Sequence, residues 1–506
     1  MNQEVRTRMI NLVTDAWIPV RCRNGTTTVR PDQIAEPGIL GFAWPRPDLN
    51  LACHELLIGL IYLACPPGDE DARHERPDQV TLRAALAPLA PAFNLLGEGP
   101  RFLQDFEPLE GRPNPPDMLF IDSAGGNATK KNSDLMVRRN RYQNLPLPLA
   151  AIALFTLQAF APAGGAGIRT SMRGGGPLVT LVRPKGGGLW SLIWANVPYG
   201  EALHPDELSS LPWMQPTVTS KKKGQVVVPD SDSMNCPPPE MFFGQPRRLR
   251  LVADGDAVTG VIQRPHGTNY AQWVHDLSPY YEDTKGQKLP MHPKPGPFGY
   301  RNWRGVILQS DKRRRSANLE RYLNWRQAVQ GVPRVDLIVA GWAMDNMKPL
   351  DFLWSEQPVF PLTPDAERSA IAMIEAAEHA GYALSVCIRD GMGESETVTG
   401  AANAARQAFF DQTQQPFIER VAALSNHARP DPDGWLAELR SVAMALFDEQ
   451  VLPGLSEMQE TRRAKAVAAR KSLVGAFSGY GGLAKKIYQA LGLKLPAKPR
   501  RKRNEE

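Results

Sequence analysis

The stretch ALFTLQAFAPAGGAGIRTSMRGGGPLVTLV, residues 153–182, joins three kinds of local structure. Its apolar first part predicts a helix over 151–160, and its last part, PLVTLV, predicts a buried strand. Between them lie six glycines and two arginines without an acidic residue. A helix, an irregular loop and a strand in succession predict an α+β fold.

The glycines make this loop a candidate binding segment. Glycine permits positive φ and lets another surface approach the backbone, whose N–H groups can bind phosphates or base edges. Arg169 and Arg173 are predicted to hold flanking phosphates. A flexible connector between helix and strand explains the same composition, so that alternative stays open.

Length and composition predict a multidomain protein. The 506 residues suggest two to four domains, and the net charge of +6 permits a polyanionic partner without requiring one. Five cysteines without C-x-x-C spacing suit a reducing cytoplasm. The N-terminus lacks the apolar run of a signal peptide, and the longest apolar stretch, 51–65, is too short to span a bilayer. We expect a cytoplasmic protein without a membrane partner.

The pattern of apolar residues changes at position 360. Before it, short β-like runs alternate with Pro and Gly breaks, which predicts a large irregular mixed α/β N-terminal domain over 1–360. Beyond it, strand signals mostly vanish and an antiparallel four-helix bundle is predicted over 361–492, followed by a basic flexible tail over 493–506. Its four helical segments are predicted at 363–385, 397–424, 432–452 and 455–490.

Enzyme signatures are incomplete throughout the chain. There is no P-loop, no H-E-x-x-H and no G-x-S-x-G, and the glycine loop lacks the third glycine of a dinucleotide fingerprint. His275-Asp276 is the one His-Asp dipeptide, and we interpret it as a surface pair in a loop. The sequence therefore predicts no enzyme, no catalytic residue, no metal and no cofactor. A nucleotide- or metal-dependent enzyme remains an alternative, in which the glycine loop cradles a phosphate or His275-Asp276 joins a metal centre.

Several basic clusters favour a nucleic-acid partner. Each alone is typical of a solvated face, but together they indicate local concentrations of positive charge suited to a phosphate backbone. No zinc-finger, helix-turn-helix or RNA-recognition signature accompanies them. The clusters are Lys130, Lys131, Arg138, Arg139 and Arg141; Lys221–Lys223; Lys312–Arg315; and Arg462, Arg463, Lys465, Arg470, Lys471, Lys485 and Lys486.

Landmarks in a fixed order resemble the CasA family, the large subunit of the type I-E CRISPR effector complex Cascade. They are NLVTDAWIPV at 11–20, IDSAGGNATKKN at 121–132, the stretch at 153–182, MFFGQPRRLRL at 241–251 and GTNYAQWVHDLSPYY at 267–281. The resemblance implies a non-catalytic subunit that recognises the protospacer-adjacent motif in double-stranded DNA. It also implies that the subunit promotes duplex opening and R-loop formation and helps to recruit a helicase–nuclease. Implied partners are target DNA, the guide RNA 5′ handle and the backbone and small subunits.

The resemblance also assigns site residues. The glycine loop, here Ala163, Gly164, Gly165, Ala166 and Gly167, would read the motif from the minor groove, with Arg264 entering the same groove. A wedge hairpin would correspond to Asp345, Asn346, Met347 and Lys348. Asn127, Lys130 and Lys131 would reach the guide RNA or a backbone subunit. The cysteine pairs with which some relatives could bind zinc are replaced at 145–148 and 253–256, so no zinc site is expected. A general nucleic-acid scaffold without motif recognition remains the other alternative.

Overall fold

The computed structural model describes residues 9–123, 130, 141–165, 167–222, 225–229, 237–310, 312–329, 331–393, 395–457 and 459–496. The helices in these ranges are α1 Pro47–Ala64, α2 Gln79–Leu86, α3 Leu147–Phe160, α4 Leu189–Asn196, α5 Glu240–Phe243, α6 Ala317–Ala328, α7 Pro364–Met392, α8 Glu396–Ser425, α9 Pro432–Val451, α10 Glu460–Phe477 and α11 Gly482–Ala490. The strands are β1 Ile18–Cys22, β2 Gly25–Val29, β3 Ile39–Phe42, β4 Leu145–Pro146, β5 Val179–Pro184, β6 Arg248–Asp254, β7 Ala257–Arg264, β8 Tyr280–Glu282, β9 Lys288–Pro290, β10 Arg313–Arg314, β11 Val335–Asp345 and β12 Lys348–Pro358.

The chain divides into two compact units. The first contains 1–297 and 311–359, and the second contains 298–310 and 360–506. One boundary between the units lies between Val359 and Phe360. The sequence did not predict that the short segment 298–310 belongs to the second unit.

Two apolar helices form the centre of the first unit. Nearly every side chain of α1 is buried, including the polar residues His54 and Glu55, and α3 is buried over most of its length. Continuous apolar runs produce this result, because a helix without a polar face must be covered on all sides. The helix predicted over 151–160 is confirmed, and it begins four residues earlier than predicted.

The strands of the described residues form small antiparallel sheets. Their orders are β2-β1-β3, β10-β8-β9, β12-β11-β5 and β4-β7-β6. The strand predicted from PLVTLVR is β5, which pairs with β11 from Val179↔Ala340 to Pro184↔Val335. This pairing joins the segment after the glycine loop to the long β11–β12 hairpin. The α+β fold is confirmed.

The second unit is helical, as predicted, but its last predicted segment is divided. Helices α10 and α11 replace a single helix over 455–490, and the break lies at 478–481. Gly479 and Gly481 have φ values of +83° and +87°, a left-handed conformation that ends a right-handed helix. The segment 298–310 packs here through Tyr300, whose ring stacks on Phe417 at 4.4 Å between centroids.

Helix α7 lies at the centre of that unit. Among the described residues it is the one helix long and apolar enough to cross a membrane, judged by length and composition alone. The protein buries 61% of the apolar window of this helix. Burial of this kind is typical of a core helix, so the composition of α7 is weak evidence for a membrane span.

Candidate nucleic-acid interface

The first half of the glycine stretch forms an exposed turn at the end of α3. The helix stops at Phe160, and Pro162 lacks the N–H needed to continue it. The chain then reverses through two hydrogen bonds, from Gly164 N to Ile168 O at 3.3 Å and from Ile168 N to Gly165 O at 3.1 Å. This turn leaves Ala163, Gly164 and Gly165 exposed to solvent.

Each glycine of this turn is required for a different reason. A Cβ atom built on Gly164 would lie 2.5 Å from Cγ2 of Ile168, which is too close for any side chain. Gly165 has φ +113° and open space around the position of its Cβ, so its backbone conformation alone requires glycine. Gly167 has φ +76°, and a Cβ atom there would lie 2.9 Å from Cβ of Pro265. The turn is therefore a defined backbone shape, which the flexible-connector interpretation does not predict.

The end of β7 lies beside the turn. The N–H of His266 donates to the carbonyl of Gly167 at 2.6 Å, two residues beyond Arg264. Arg264 is the exposed last residue of β7, and its Nη2 lies 3.0 Å from where a Cβ on Gly111 would be. The structure thus brings the segment that carries Arg264 next to the glycine turn, although Arg264 and Gly167 are 97 positions apart in sequence.

The second half of the glycine stretch, Gly174–Gly176, is packed and not exposed. A Cβ atom on Gly176 would collide with the carbonyl of Trp342, and one on Gly175 would lie 3.0 Å from Sδ of Met347. Both contacts come from the β11–β12 hairpin. Gly176 therefore has no room for a side chain beneath the hairpin, and Gly175 is confined between the hairpin tip and Pro162.

The hairpin tip contains the predicted wedge residues. Asp345 and Lys348 pair at the ends of the strands, and Asn346 and Met347 form the two-residue loop with φ values of +46° and +63°. Such a loop matches strand twist when both residues have positive φ, a conformation that methionine rarely adopts. Met347 is 47% exposed although its sulfur lies close to Gly175. An apolar side chain is thus held in solvent at the tip.

The structure corrects the phosphate-binding role predicted for Arg173. Its guanidinium is buried and makes a bidentate ion pair with Glu55 of α1, with both N–O distances at 2.8 Å. It also donates to Oγ of Ser278 at 3.2 Å and lies over the ring of Phe160. Arg173 therefore anchors the loop from inside. The sequence did contain a signal for this partner, because Glu55 is a carboxylate within the apolar run 51–65.

Arg169 remains near the surface but is held by the protein. It is half-buried, and its Nε and Nη2 donate to Oγ and to the carbonyl of Ser220 at 2.8 and 3.3 Å. Ser220 in turn donates to the carbonyl of Gly267. These bonds connect Arg169 to the segment that follows β7.

Several of the predicted site residues lie outside the described residues. They are Ala166 in the turn, and Asn127 and Lys131 in the loop expected to reach RNA. Lys130 is exposed. The described residues on either side of this loop are held firmly, since Asp117 accepts from the N–H groups of Arg141 and Tyr142, each at 3.0 Å.

His275 and Asp276 form no surface pair, contrary to our interpretation of the sequence. Both are buried, and Asp276 makes a bidentate ion pair with Arg321 at 2.8 and 2.7 Å. Burial, helped by the nearby charge of Arg173, lowers the pKa of His275 well below its ordinary value, so the ring is neutral. No group of three or more potential metal ligands occurs among the residues described.

Arg247, which immediately precedes β6, is a site residue that sequence reasoning missed. Its side chain is 7% exposed, and its Nη2 donates to the carbonyl of Pro162. Its Nη1 lies 3.2 Å from where a Cβ on Gly164 would be, directly beneath the exposed turn. The sequence signal was the Arg-Arg pair at 247–248, of which Arg248 pairs with Asp105 and Arg247 donates to the carbonyl of Pro162.

Comparison with known proteins identifies chains of similar sequence and fold. The sequence model of a family described as CRISPR-associated protein Cse1 matches residues 11–446. CasA (Cse1) from Thermus thermophilus is 19% identical with a TM-score of 0.68, and the match covers 96% of this chain and 99% of that one. Cse1 from Acidimicrobium ferrooxidans is 19% identical with a TM-score of 0.67 and coverages of 97% and 99%. A chain of a CRISPR RNA-guided surveillance complex is 16% identical with a TM-score of 0.67 and coverages of 92% and 99%.

Proposed function

Because the chain belongs to the CRISPR-associated Cse1 family, the CasA large subunits of type I-E Cascade, we propose that it senses the protospacer-adjacent motif in double-stranded DNA. In this proposal it is a non-catalytic subunit that works in the cytoplasm. It promotes duplex opening so that the guide RNA pairs with the target strand, and it helps to recruit a helicase–nuclease.

The observation that carries the proposal is the exposed backbone of Ala163, Gly164 and Gly165. A minor groove is about 6 Å wide, so an element without side chains can approach its floor more closely than one with them. The neighbouring end of β7 supplies Arg264, and arginine suits a narrow, electronegative groove. Ala163 is one departure from an all-glycine turn. Its methyl group would limit how closely that side of the turn approaches the minor groove.

The hairpin tip supports a role in strand opening. Apolar side chains inserted between base steps unstack DNA, and Met347 is such a side chain, held in solvent by the turn. The packing of the hairpin on Gly175 and Gly176 fixes the tip relative to the glycine stretch. A rigid connection of this kind would couple motif contact to opening of the adjacent base pair.

Other surfaces supply the remaining proposed contacts. The loop that contains Lys130 would meet the guide RNA 5′ handle or a backbone subunit. The second unit carries exposed cations along α10, including Arg462, Arg463 and Lys465, and this basic face suits small subunits and the displaced strand.

The decisive experiment compares Gly165→Leu with Gly25→Leu in the reconstituted Cascade. The two glycines have similar φ values, +113° and +130°, and nothing lies within 4 Å of either Cβ position, so the backbone strain is matched. Competition binding against duplexes with randomised flanks measures motif preference. We expect Gly165→Leu to reduce the preference at least tenfold, because the side chain blocks the approach to the groove, and Gly25→Leu to leave it unchanged.

Unchanged motif preference in Gly165→Leu would remove the turn from the mechanism. If wild-type complex shows the same affinity for every flank, the chain is a general nucleic-acid scaffold. Either outcome is separable from misassembly, because the complex is isolated with all its subunits before binding is measured.

A further inference from the structure

Arg247 is held rigidly beneath the exposed turn. The amide side chain of Gln158 in α3 fixes its backbone: Oε1 accepts from Arg247 N at 2.9 Å and Nε2 donates to Arg247 O at 3.0 Å. The guanidinium reaches past the end of α3 to Pro162 and Gly164. Its Nε is buried and has no hydrogen-bond partner in the part of the chain that the structure describes. The side chain is therefore placed precisely but incompletely satisfied.

Several largely buried arginines of the first unit have carboxylate partners, whereas Arg73, like Arg247, donates to backbone carbonyls. Arg173 pairs with Glu55, Arg248 with Asp105 and Arg321 with Asp276. Arg247 has no such ion pair within the described ranges. Burial alone lowers the pKa of its guanidinium to about 10, and no acidic side chain offsets this effect. At neutral pH the side chain is thus a buried cation without a counter-charge.

A buried charge of this kind is costly unless an opposite charge approaches it. Exposed backbone lies close to this cation, since the position of a Cβ atom on Gly164 is 3.2 Å from Nη1. Low local dielectric strengthens the attraction across that short distance.

We propose that Arg247 is the cation that binds a backbone phosphate of nucleic acid docked on Ala163–Gly165. Arg247 therefore has the phosphate-binding role that the sequence analysis predicted for Arg173. That the phosphate belongs to nucleic acid rests on the proposed function.

The test measures the salt dependence of binding by reconstituted complexes that carry Arg247→Gln or Arg247→Lys. The probe is a duplex with the adjacent motif but no sequence complementary to the guide, so that guide pairing does not contribute. Neutralising one phosphate contributes a slope of about 0.9 to log K against log salt. We expect Arg247→Gln to reduce the slope by about that amount, so that the affinity lost between 50 and 200 mM salt is about 3.5-fold smaller. Arg247→Lys should keep the wild-type slope.

Arg73→Gln is the matched control. Arg73 is also buried and donates to backbone carbonyls, those of Trp194 and Val197 at 2.9 and 2.7 Å. Its loss should lower stability without changing the slope. A wild-type slope in Arg247→Gln, or the same change in all three variants, overturns the inference. Failure of this inference alone would leave the effect of Gly165→Leu intact, whereas failure of the proposed function would abolish both effects.

Discussion

The two halves of the glycine stretch have similar composition and opposite environments. Ala163, Gly164 and Gly165 are exposed, whereas Gly175 and Gly176 are buried under the β11–β12 hairpin. Their arginines are also used differently, since Arg169 stays near the surface and Arg173 is buried against Glu55. A glycine-rich segment can therefore present its backbone to a ligand in one half and to its own protein in the other. The packed half serves as the base on which the exposed half is held.

We expect the largest effect from disrupting the ion pair between Glu55 and Arg173, which anchors the packed half. Glu55→Gln leaves the buried guanidinium of Arg173 without its counter-charge, and loss of one partner of a buried pair costs about 3–5 kcal/mol. Native-state hydrogen exchange at the amides of Gly176 and Leu178, which donate to Phe160 O and Met291 O, measures the loss locally.

Glu356→Gln is the control for that variant. It disrupts the pair of Glu356 with Arg183, in which both side chains are close to half exposed, so the cost should stay below about 1 kcal/mol. Equal effects of the two substitutions would show that the buried pair does not anchor the stretch.

A second prediction compares the same substitution in each half. Gly176→Ala adds a collision with Trp342 to the strain of φ +62°, and we expect a cost of about 3 kcal/mol. Gly165→Ala meets open space, so strain alone should cost about 1 kcal/mol. Hydrogen exchange along the β5–β11 ladder measures both values. If Gly165→Ala is the more damaging change, the division into exposed and packed halves is wrong.

The smallest effect on stability concerns the hairpin tip. Met347→Gly relieves the strain of φ +63° and should stabilise the hairpin by about 1 kcal/mol, measured by slower exchange of its amides. The same change removes the apolar side chain. A fluorescent base analogue beside the motif should therefore report slower opening of an intact duplex and unchanged binding of a pre-melted one. Wild-type opening by this more stable variant would contradict the wedge assignment.

Local sequence patterns predicted helices and strands best where all residues of a run are buried in the same way. The apolar runs of α1 and α3 are examples, because their burial follows from composition alone. The run GVILQ at 305–309 is one of the short β-like runs before position 360, yet it lies in turns, and Gly305 N donates to Leu308 O at 2.7 Å. Short apolar runs are ambiguous because turns also bury hydrophobic side chains.

The sequence by itself determined the α+β character, the helical C-terminal region and the position of the glycine stretch between a helix and a strand. Only the tertiary structure decided which buried arginine has a carboxylate partner and which has none among the described residues. Glu55 lies 118 positions from Arg173 and neutralises it, while Gln158 and Pro162 hold Arg247 beneath the turn from 89 and 85 positions away. The charge that a side chain offers to a partner depends on the groups packed around it, and neighbours in sequence do not specify those groups.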